Sequence, residues 1–198
     1  MREYEEELNS KGINLIAGVD EVGRGPLIGS VVAAAVILPS GFYMSEINDS
    51  KKLSEKKREQ LYPIIMEKAI SVGIGVVDSE TIDRVNILNA TKMAMKMAIN
   101  NLSVKPEHVL IDAVKLDIDI PYTAIIKGDA KSESIAAASI VAKVYRDNMM
   151  KELDKEYPMY DFKSNKGYGT KKHIEAIKKY GVLKEHRKTF KPVSDYVK

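Results

Sequence analysis

A chain of 198 residues with 44% hydrophobic and 30% charged residues can bury the core of one domain, or at most two small ones. It contains no cysteine, which excludes disulfide scaffolds, thiolate zinc sites and cysteine nucleophiles. Residues 163–198 carry a net charge of +8 and residues 1–162 a net charge of −5. A polyanionic partner of the basic tail and a merely solvated basic helix are both open interpretations of this asymmetry.

The chain shows no targeting segment. Residues 1–12 are acidic and lack the apolar stretch of a signal peptide. The most apolar run, residues 31–38, is far too short to cross a bilayer. We therefore expect a soluble, cytoplasmic protein that makes no membrane contact.

The first two predicted strands flank a glycine-rich segment. Residues 13–19 are apolar and end at Asp20, which is typical of a buried strand that places a carboxylate at its end. The glycines and proline of residues 23–26 then interrupt regular structure. Residues 30–38 are rich in valine and alanine and stop at a proline, which predicts a second buried strand.

A helix, a strand and a second helix follow. Ser54 is a good N-cap for a predicted helix over residues 54–70, and residues 72–77 predict a short strand. Residues 86–102 predict the second helix. Its apolar positions are Leu88, Met93, Met95, Met97 and Ile99. We expect the methionines to fill the core rather than to bind a ligand.

Two further strands lead to acidic residues. Residues 108–111 end at Asp112, and residues 122–126 are closely followed by Asp129. Residues 132–157 then predict the longest helix, which is alanine-rich along one side.

The basic tail predicts two shorter helices, over residues 170–180 and 182–188. Strands that come first and then alternate with helices favour an α/β fold with a mixed central sheet. We expect a main domain over residues 1–160 and a basic helical region over residues 161–198 packed on it.

Three predicted strands end at or just before an acid. These acids are Asp20 with Glu21, Asp112, and Asp129. Functional sites of α/β sheets collect at the carboxyl ends of strands, so the four side chains are expected to converge. One acid at a strand end is usually a cap or a turn residue, but the repetition at three strand ends favours a site.

The expected acidic cluster suits divalent cations. Crowded carboxylates repel one another unless cations neutralise them, and hard oxygen ligands select Mg²⁺ or Mn²⁺. Two such ions roughly 4 Å apart clamp the attacking and leaving oxygens of a phosphodiester displacement. A carboxylate pair could instead act as acid and base in glycoside hydrolysis, but that alternative explains neither the basic tail nor the glycine-rich segment.

Two glycine-flanked residues are candidates for ligand contact. Gly23 and Gly25 let the backbone around Arg24 approach a sugar hydroxyl, and Arg24 can engage phosphate, although a tight turn is the simpler interpretation. Tyr168 lies between two glycines in a basic segment, which favours stacking on nucleic acid.

Basic side chains of the tail are the expected source of non-specific duplex affinity. They are Lys171, Lys172, Lys178, Lys179, Lys184, Arg187 and Lys188. We expect His173 to be exposed and His108 and His186 to be structural, and residues 55–58 to be a solvated helix face. Asp147 is left out of the acidic cluster because Arg146 is a ready ion-pair partner.

Five segments carry a resemblance to a known family. They are AGVDEVGRGPLIGSVVAAAVIL (17–38), NDSKKLSEKKRE (48–59), VLIDAV (109–114), KGDAKSESIAAASIVAKVYRD (127–147) and KGYGTKKH (166–173). Together they closely resemble ribonuclease HII, the bacterial type 2 ribonuclease H, from about residue 14 to residue 193. The related ribonuclease HIII fits less well, because 198 residues leave no space for its additional N-terminal domain.

The resemblance implies a ribonuclease-H-like catalytic domain over residues 1–160 with a helical C-terminal part. The family's four catalytic and metal-binding acids fall on Asp20, Glu21, Asp112 and Asp129. Its glycine–arginine–glycine segment, which reads the ribose 2′-hydroxyl, falls on Gly23, Arg24 and Gly25. Its substrate-sensing tyrosine falls on Tyr168, and its phosphate-contacting segment falls on Asn48, Ser50, Lys51 and Lys52.

The resemblance also implies the reaction. Family members hydrolyse the RNA strand of RNA–DNA hybrids and cut on the 5′ side of single ribonucleotides in duplex DNA, leaving 3′-hydroxyl and 5′-phosphate ends. Two Mg²⁺ or Mn²⁺ ions are expected in the active site. The enzyme itself is expected to act in DNA replication, DNA repair and ribonucleotide excision. The 2′-hydroxyl separates RNA from DNA at such a site. We expect a monomer whose partner is nucleic acid.

Two rival hypotheses stay open. One is a non-catalytic binder of hybrid duplexes, in which the acids hold a structural ion. The other is a different nuclease or strand-transfer enzyme with the same fold, because fold analogy alone does not define function.

Overall fold

The computed structural model describes residues 1–47 and 52–197. Its α-helices are Glu3–Ser10 (α1), Glu55–Lys68 (α2), Ser79–Val85 (α3), Ile87–Asn100 (α4), Glu133–Glu156 (α5), Phe162–Asn165 (α6) and Lys171–Tyr180 (α7). Its strands are Ile16–Val22 (β1), Val31–Ile37 (β2), Ser71–Val77 (β3), His108–Asp112 (β4) and Tyr122–Ile125 (β5). Short 3₁₀ turns cover Gly128–Ala130, Pro158–Tyr160 and Val193–Asp195.

The five strands form one mixed sheet in the order β3-β2-β1-β4-β5. Strand β2 runs antiparallel to both of its neighbours, β1 and β3, whereas β1, β4 and β5 run parallel to one another. In the parallel part Val19 pairs with Ile111, and Asp112 pairs with Ile125. The expected α/β fold with a mixed central sheet is therefore confirmed.

Helices cover both faces of this sheet. On one face α4 packs against β3, β2 and β1. On the other face α5 lies across β1 and β2, with α2 beside it. The approach of α5 is close, because a Cβ atom on Gly18 would lie 2.0 Å from the backbone carbon of Ser134. A buried strand and an alanine-rich helix thus meet with almost no side chain between them.

Most predicted elements are present with shifted ends. The first strand begins at Ile16 rather than at residue 13, and it continues through Asp20 to Val22. The Ser54 hydroxyl caps α2 as predicted, since it accepts a hydrogen bond from the Lys57 N–H at 3.2 Å. Ser132 caps α5 in the same way, by accepting from the Ile135 N–H.

Several expectations were wrong. Helices α1 and α3 were not predicted, and residues 182–188 form no helix. Gly181 ends α7 with a φ of +96°, and the next residues run beside residues 27–29 instead of coiling. Of the five apolar α4 positions singled out from the sequence, only Met95 and Ile99 are buried. The other expected core side chains are exposed by 39–46%, namely Leu88, Met93 and Met97.

The C-terminal residues pack against the loop between β1 and β2. Backbone hydrogen bonds join the Leu27 N–H to the Gly167 carbonyl at 2.8 Å and the Gly29 N–H to the Glu185 carbonyl at 2.9 Å. A small apolar cluster forms beneath them, in which Tyr160 and Phe162 are fully buried. Across residues 1–47 and 52–197, no helix has the length and apolar character needed to cross a membrane.

Candidate active site

The candidate site begins at the carboxyl ends of the two central parallel strands. Because Val19 pairs with Ile111, the next residues Asp20 and Asp112 start from adjacent backbone positions, about 5 Å apart. Both are on the sheet face that α5 covers, since side chains alternate along a strand and Val19 and Ile111 face α4. The register of one strand pair thus places two acids side by side.

The chain after β5 brings Asp129 to the same edge. Lys127 adopts a left-handed conformation with a φ of +57°, which turns the backbone back towards β4. The Gly128 N–H then donates a hydrogen bond of 2.6 Å to Asp112 Oδ1. A Cβ atom on Gly128 would lie 2.6 Å from Ile135 Cδ1, so a side chain here would require Ile135 to move. Asp129, the next residue, is 2% exposed.

Burial and like charges both raise the pKa of Asp20. Burial is the main cause that raises the pKa of Asp20 well above its ordinary value, and the charges of Glu21 and Asp112 raise it further. Hydrogen bonds from the Ser139 side chain and from the Glu21 N–H, the latter at 2.8 Å, act in the opposite direction. Perturbed carboxyl groups of this kind are characteristic of functional sites.

Glu21 lies at the mouth of the site. Burial raises its pKa, the Arg24 guanidinium lowers it, and the Asp112 charge raises it. The Arg24 Nη1 atom lies 3.5 Å from Glu21 Oε1, and the Arg24 side chain is 46% exposed. Arg24 is therefore a solvent-facing cation on the rim of an acidic site.

A cleft of about 460 Å³ opens beside the acids. Its lining residues are Glu21, Val22, Gly23, Arg24, Gly25, Arg58, Ser139, Lys143 and Tyr168. The Tyr168 ring lies over the glycine segment, because a Cβ atom on Gly25 would be 3.3 Å from Tyr168 Cε1. The ring is 45% exposed and so presents a free aromatic surface. The structure therefore brings Glu21, the Gly23–Gly25 segment and Tyr168 into one cleft.

Two buried arginines hold the loop under this cleft. Arg187 donates from Nη1 to the Arg24 and Pro26 carbonyls, both at 2.9 Å, from Nε to the Gly29 carbonyl at 3.0 Å, and from Nη2 to the Gly23 carbonyl. Burial lowers its pKa to about 9, with a further contribution from the charge of Arg146.

Arg146 plays the same part from α5. It donates to the carbonyls of Ser30 at 3.0 Å, Ile28 at 3.1 Å and Lys166 at 2.7 Å, and burial lowers its pKa to about 10. A side chain at Gly23 would collide with it, since a Cβ atom there would lie 2.3 Å from Arg146 Nε. Backbone carbonyls thus accept the hydrogen bonds of both buried guanidinium groups.

These contacts correct several sequence-based expectations. Arg187 is fully buried and is not a surface cation for duplex binding. Arg146 does not pair with Asp147, whose Oδ1 instead accepts from Lys143 Nζ at 2.8 Å. His173 is buried, not exposed, because the first turn of α7 directs it into the apolar cluster. Arg58 lines the cleft, whereas the sequence predicts a solvated helix face over residues 55–58.

The sequence analysis missed Ser139 as a cleft residue. A serine on an alanine-rich helix carries little signal of its own, and the sheet register is needed to place that helix face opposite Asp20. Of the expected phosphate contacts, Asn48, Ser50 and Lys51 lie outside the described residues. Lys52 is described and is exposed.

The acids match a divalent cation in donor chemistry. Carboxylate oxygens are the ligands that Mg²⁺ and Mn²⁺ prefer. Within the described parts of the chain, however, no three Asp, Glu, His or Cys side chains are grouped closely enough to hold one ion. Binding would therefore draw the side chains together, which neutralising their mutual repulsion allows.

Comparisons with known proteins agree with this geometry. The family model described as Ribonuclease HII matches residues 17–193. Proteins described as ribonuclease HII from Bacillus cytotoxicus and Bacillus anthracis are 62% and 61% identical over 198 residues, covering all of this chain and 76% and 77% of theirs.

Solved structures share the fold. The ribonuclease H2 of Pyrococcus horikoshii matches with a TM-score of 0.78 and 27% identity, over 91% of this chain and 95% of that one. The structure of Bst ribonuclease HIII in complex with Mn²⁺ matches with a TM-score of 0.72 and 21% identity, over 91% and 68%. The fold is therefore ribonuclease-H-like, as expected. The family model and these relatives together show that the chain belongs to the ribonuclease HII family of ribonuclease H endonucleases.

Proposed function

We propose that this endonuclease cuts RNA–DNA hybrids and nicks duplex DNA on the 5′ side of single embedded ribonucleotides, leaving 3′-hydroxyl and 5′-phosphate ends. In this proposal Asp20, Glu21, Asp112 and Asp129 hold two Mg²⁺ or Mn²⁺ ions at the scissile phosphate. The observation that carries it is the cleft in which the acidic sheet edge adjoins the Gly23–Gly25 segment and Tyr168.

The acids supply the metal-binding half of the proposal. Cations bound there would activate a water and stabilise the leaving oxygen. Asp20 and Asp112 give two carboxylates from a rigid sheet, and the Gly128 N–H orients Asp112 Oδ1 at 2.6 Å. The Ser139 side chain, on α5, donates a hydrogen bond to the Asp20 carboxylate. A nuclease has reason to bury like charges at a phosphate site, whereas a simple duplex binder has none.

The Gly23–Gly25 segment supplies the proposed ribose check. Its Gly23 and Arg24 carbonyls point inward and are occupied by Arg187. The N–H groups of the same turn are the donors that we propose meet a ribose 2′-hydroxyl. Without Cβ atoms, the two glycines allow a sugar to approach this backbone closely.

Tyr168 and the nearby cations supply the remaining contacts. We propose that the Tyr168 ring, which is exposed, stacks on the nucleotide that follows the ribonucleotide. Arg24, Arg58 and Lys143 line the same cleft and suit phosphate oxygens. The surface lysines of α7 and the exposed Lys52 extend the proposed duplex contact beyond the cleft.

The proposal is tested first on a labelled DNA duplex that contains one ribonucleotide, beside an all-DNA duplex. We expect a nick on the 5′ side of the ribonucleotide that requires Mg²⁺ or Mn²⁺, with the control duplex intact. Binding without cutting under either metal would favour the non-catalytic rival. Cutting of the all-DNA duplex would favour a nuclease with another specificity.

Asp112→Asn tests the acidic edge. We expect its turnover to fall by about a thousand-fold, because one ligand of the metal site loses its charge. Duplex affinity should be unchanged or higher, since a negative charge near the phosphate is removed. Asp117→Asn, an exposed aspartate beyond the site, is the matched control. Equal loss of binding and cutting in Asp112→Asn would make the residue structural.

Three finer expectations stay predictions. They are the division into residues 1–160 and 161–198, the monomeric state and a role in replication and repair. Of these, the oligomeric state is checked most directly, by light scattering of the purified chain with and without duplex.

A further inference from the structure

Two histidines are buried in contact with each other beneath the cleft. His173, in the first turn of α7, is fully buried, and His186 is 1% exposed. Their Nε2 atoms are 3.0 Å apart. Such a contact requires one ring to donate and the other to accept, so the two rings must hold different tautomers.

The outer hydrogen bonds decide which ring donates. The Leu183 N–H donates to His186 Nδ1 at 2.8 Å, so this nitrogen carries no proton. A neutral His186 therefore has its proton on Nε2 and donates to His173 Nε2. His173 then has its proton on Nδ1 and donates to the Tyr168 carbonyl at 2.8 Å. All four ring nitrogens are satisfied by a single direction of donation, with both rings neutral.

The surroundings favour this neutral pair. The rings of Tyr160 and Phe162 pack against both histidines, and the Tyr160 hydroxyl is turned away to donate to the Gly181 carbonyl at 2.7 Å. Burial lowers the pKa of His173, and burial together with the neighbouring ring lowers the pKa of His186 to about 3. At neutral pH neither ring carries a charge.

The pair connects the two recognition elements of the cleft. On one side, residues 185–187 pair with the loop that follows the Gly23–Gly25 segment, through a bridge between Ile28 and His186 and a 2.8 Å bond from the Arg187 N–H to the Leu27 carbonyl. On the other side, His173 holds the Tyr168 carbonyl, and the Tyr168 ring lies over Gly25. The Thr170 N–H also donates to this carbonyl at 2.8 Å.

We propose that His173 and His186 are positioning residues for ribonucleotide recognition, which hold Tyr168 at a set height over the Gly23–Gly25 segment. This inference rests on the proposed function, in which Tyr168 contacts the nucleotide after the ribonucleotide. The pair touches no substrate and acts only through Tyr168. The pair keeps the Tyr168 ring, which stacks on the nucleotide, at a fixed position relative to the Gly23–Gly25 backbone, which reads the sugar.

Tautomer assignment by ¹⁵N-resolved NMR of the histidine rings tests the pair without any activity measurement. We expect protonated Nε2 in His186 and protonated Nδ1 in His173, each confirmed by loss of its signals in a substitution. The third histidine of the chain, His108, serves as the internal reference. The reverse tautomers, or a doubly protonated ring at pH 7, would overturn the proposal even if the enzyme cuts as proposed.

Paired substitutions test the effect on catalysis. His173→Gln keeps a polar group at the Nε2 position and loses the donor to Tyr168, so kcat on the single-ribonucleotide duplex should fall about ten-fold with little change in KM. His173→Asn places an amide N–H at the Nδ1 position and should recover most of that loss. His108→Gln, far from the cleft at the start of β4, is the control.

A double substitution separates positioning from general damage. If His173 acts only through Tyr168, adding His173→Gln to Tyr168→Ala should cause no further loss of kcat. The proposal would be overturned if the losses of kcat multiplied in the double variant. It would also be overturned if His173→Gln and His173→Asn lost kcat equally. A wild-type chain that fails to nick the ribonucleotide would refute the proposed function instead, and the tautomer measurement would still stand on its own.

Discussion

Charged side chains are buried in two neighbouring regions of this molecule, and the groups that surround them differ between the two regions. At the acidic edge, Asp20 and Asp112 lie on adjacent strands, and each adds to the repulsion that the other meets. Below the cleft, Arg146 and Arg187 are fully buried, but seven backbone carbonyls accept from them. The carbonyls satisfy the N–H groups of both arginines, whereas the charges of Glu21 and Asp112 disfavour the ionised form of Asp20 despite the hydrogen bonds that it accepts.

The difference separates charges that stabilise the fold from charges that serve the reaction. A buried cation surrounded by carbonyl oxygens keeps most of the hydrogen bonding that it had in water. Buried carboxylates that repel one another lower stability until a cation binds. Substitutions in the two regions should therefore have opposite effects on stability.

The largest effect is expected for Arg187→Met. It leaves the Gly23, Arg24, Pro26 and Gly29 carbonyls without their donor, which should lower the free energy of unfolding by about 3–5 kcal/mol. Urea denaturation followed by circular dichroism measures this change. Arg84→Met, at an exposed arginine of α3, should stay within about 0.5 kcal/mol. Similar stability of the two variants would contradict the assigned role of Arg187.

A smaller effect of opposite sign is expected for Asp20→Asn. Without divalent ions it should raise the free energy of unfolding by about 1 kcal/mol at pH 7, although turnover is lost. The pKa of Asp20 is raised in the folded state, so the ionised carboxylate destabilises the native chain at neutral pH. That penalty disappears as the pH falls towards the ordinary carboxyl pKa of 3.8, and the variant's advantage should disappear with it.

Thermal unfolding of the wild type and of Asp20→Asn, in the presence of a chelator and at several pH values, tests whether the substitution raises or lowers stability. Mg²⁺ should then stabilise the wild type more than Asp20→Asn, because the amide is a poorer ligand. Asp119→Asn, at an exposed aspartate, should show neither effect. A less stable Asp20→Asn would mean that the carboxylate is satisfied within the fold, like the arginines.

The smallest effect is expected for the exposed lysines of α7. The double substitution of Lys171 and Lys172 by glutamine should reduce the slope of log affinity against log salt by up to about two, with little change in kcat. Lys11→Gln with Lys105→Gln is the control, since both precede the strands at the end opposite the acids. Equal slopes in the two variants would exclude the α7 lysines from the duplex contact.

Features that depend on neighbouring residues in the sequence could be predicted, whereas features that depend on contacts between distant segments could not. The apolar runs before Asp20 and Asp112 predicted their strands, because burial of a parallel strand leaves a local pattern. Those runs could not reveal the pairing of Val19 with Ile111, which decides that the two acids are neighbours. The resemblance to a family supplied the site residues that local patterns could not.

The errors concentrate where distant segments meet. Arg187 and His173 sit among lysines, so local composition predicted exposed side chains, yet both are buried by contacts with residues 23–29 and with the cluster around Phe162. The same contacts hold residues 182–188 beside residues 27–29, whereas the local pattern predicted a helix. Tertiary pairing overrides local preference at these positions.

The pairing of residues 185–187 with residues 27–29 has a consequence for local unfolding. Neither strip belongs to the sheet, and each is held mainly by the other and by the two buried arginines. Amide hydrogens of the two strips should therefore exchange with solvent in one cooperative opening, at a lower free energy than those of β1 and α5. The enzyme would lose its ability to recognise a ribonucleotide in that opening while its acid-bearing strands stayed folded.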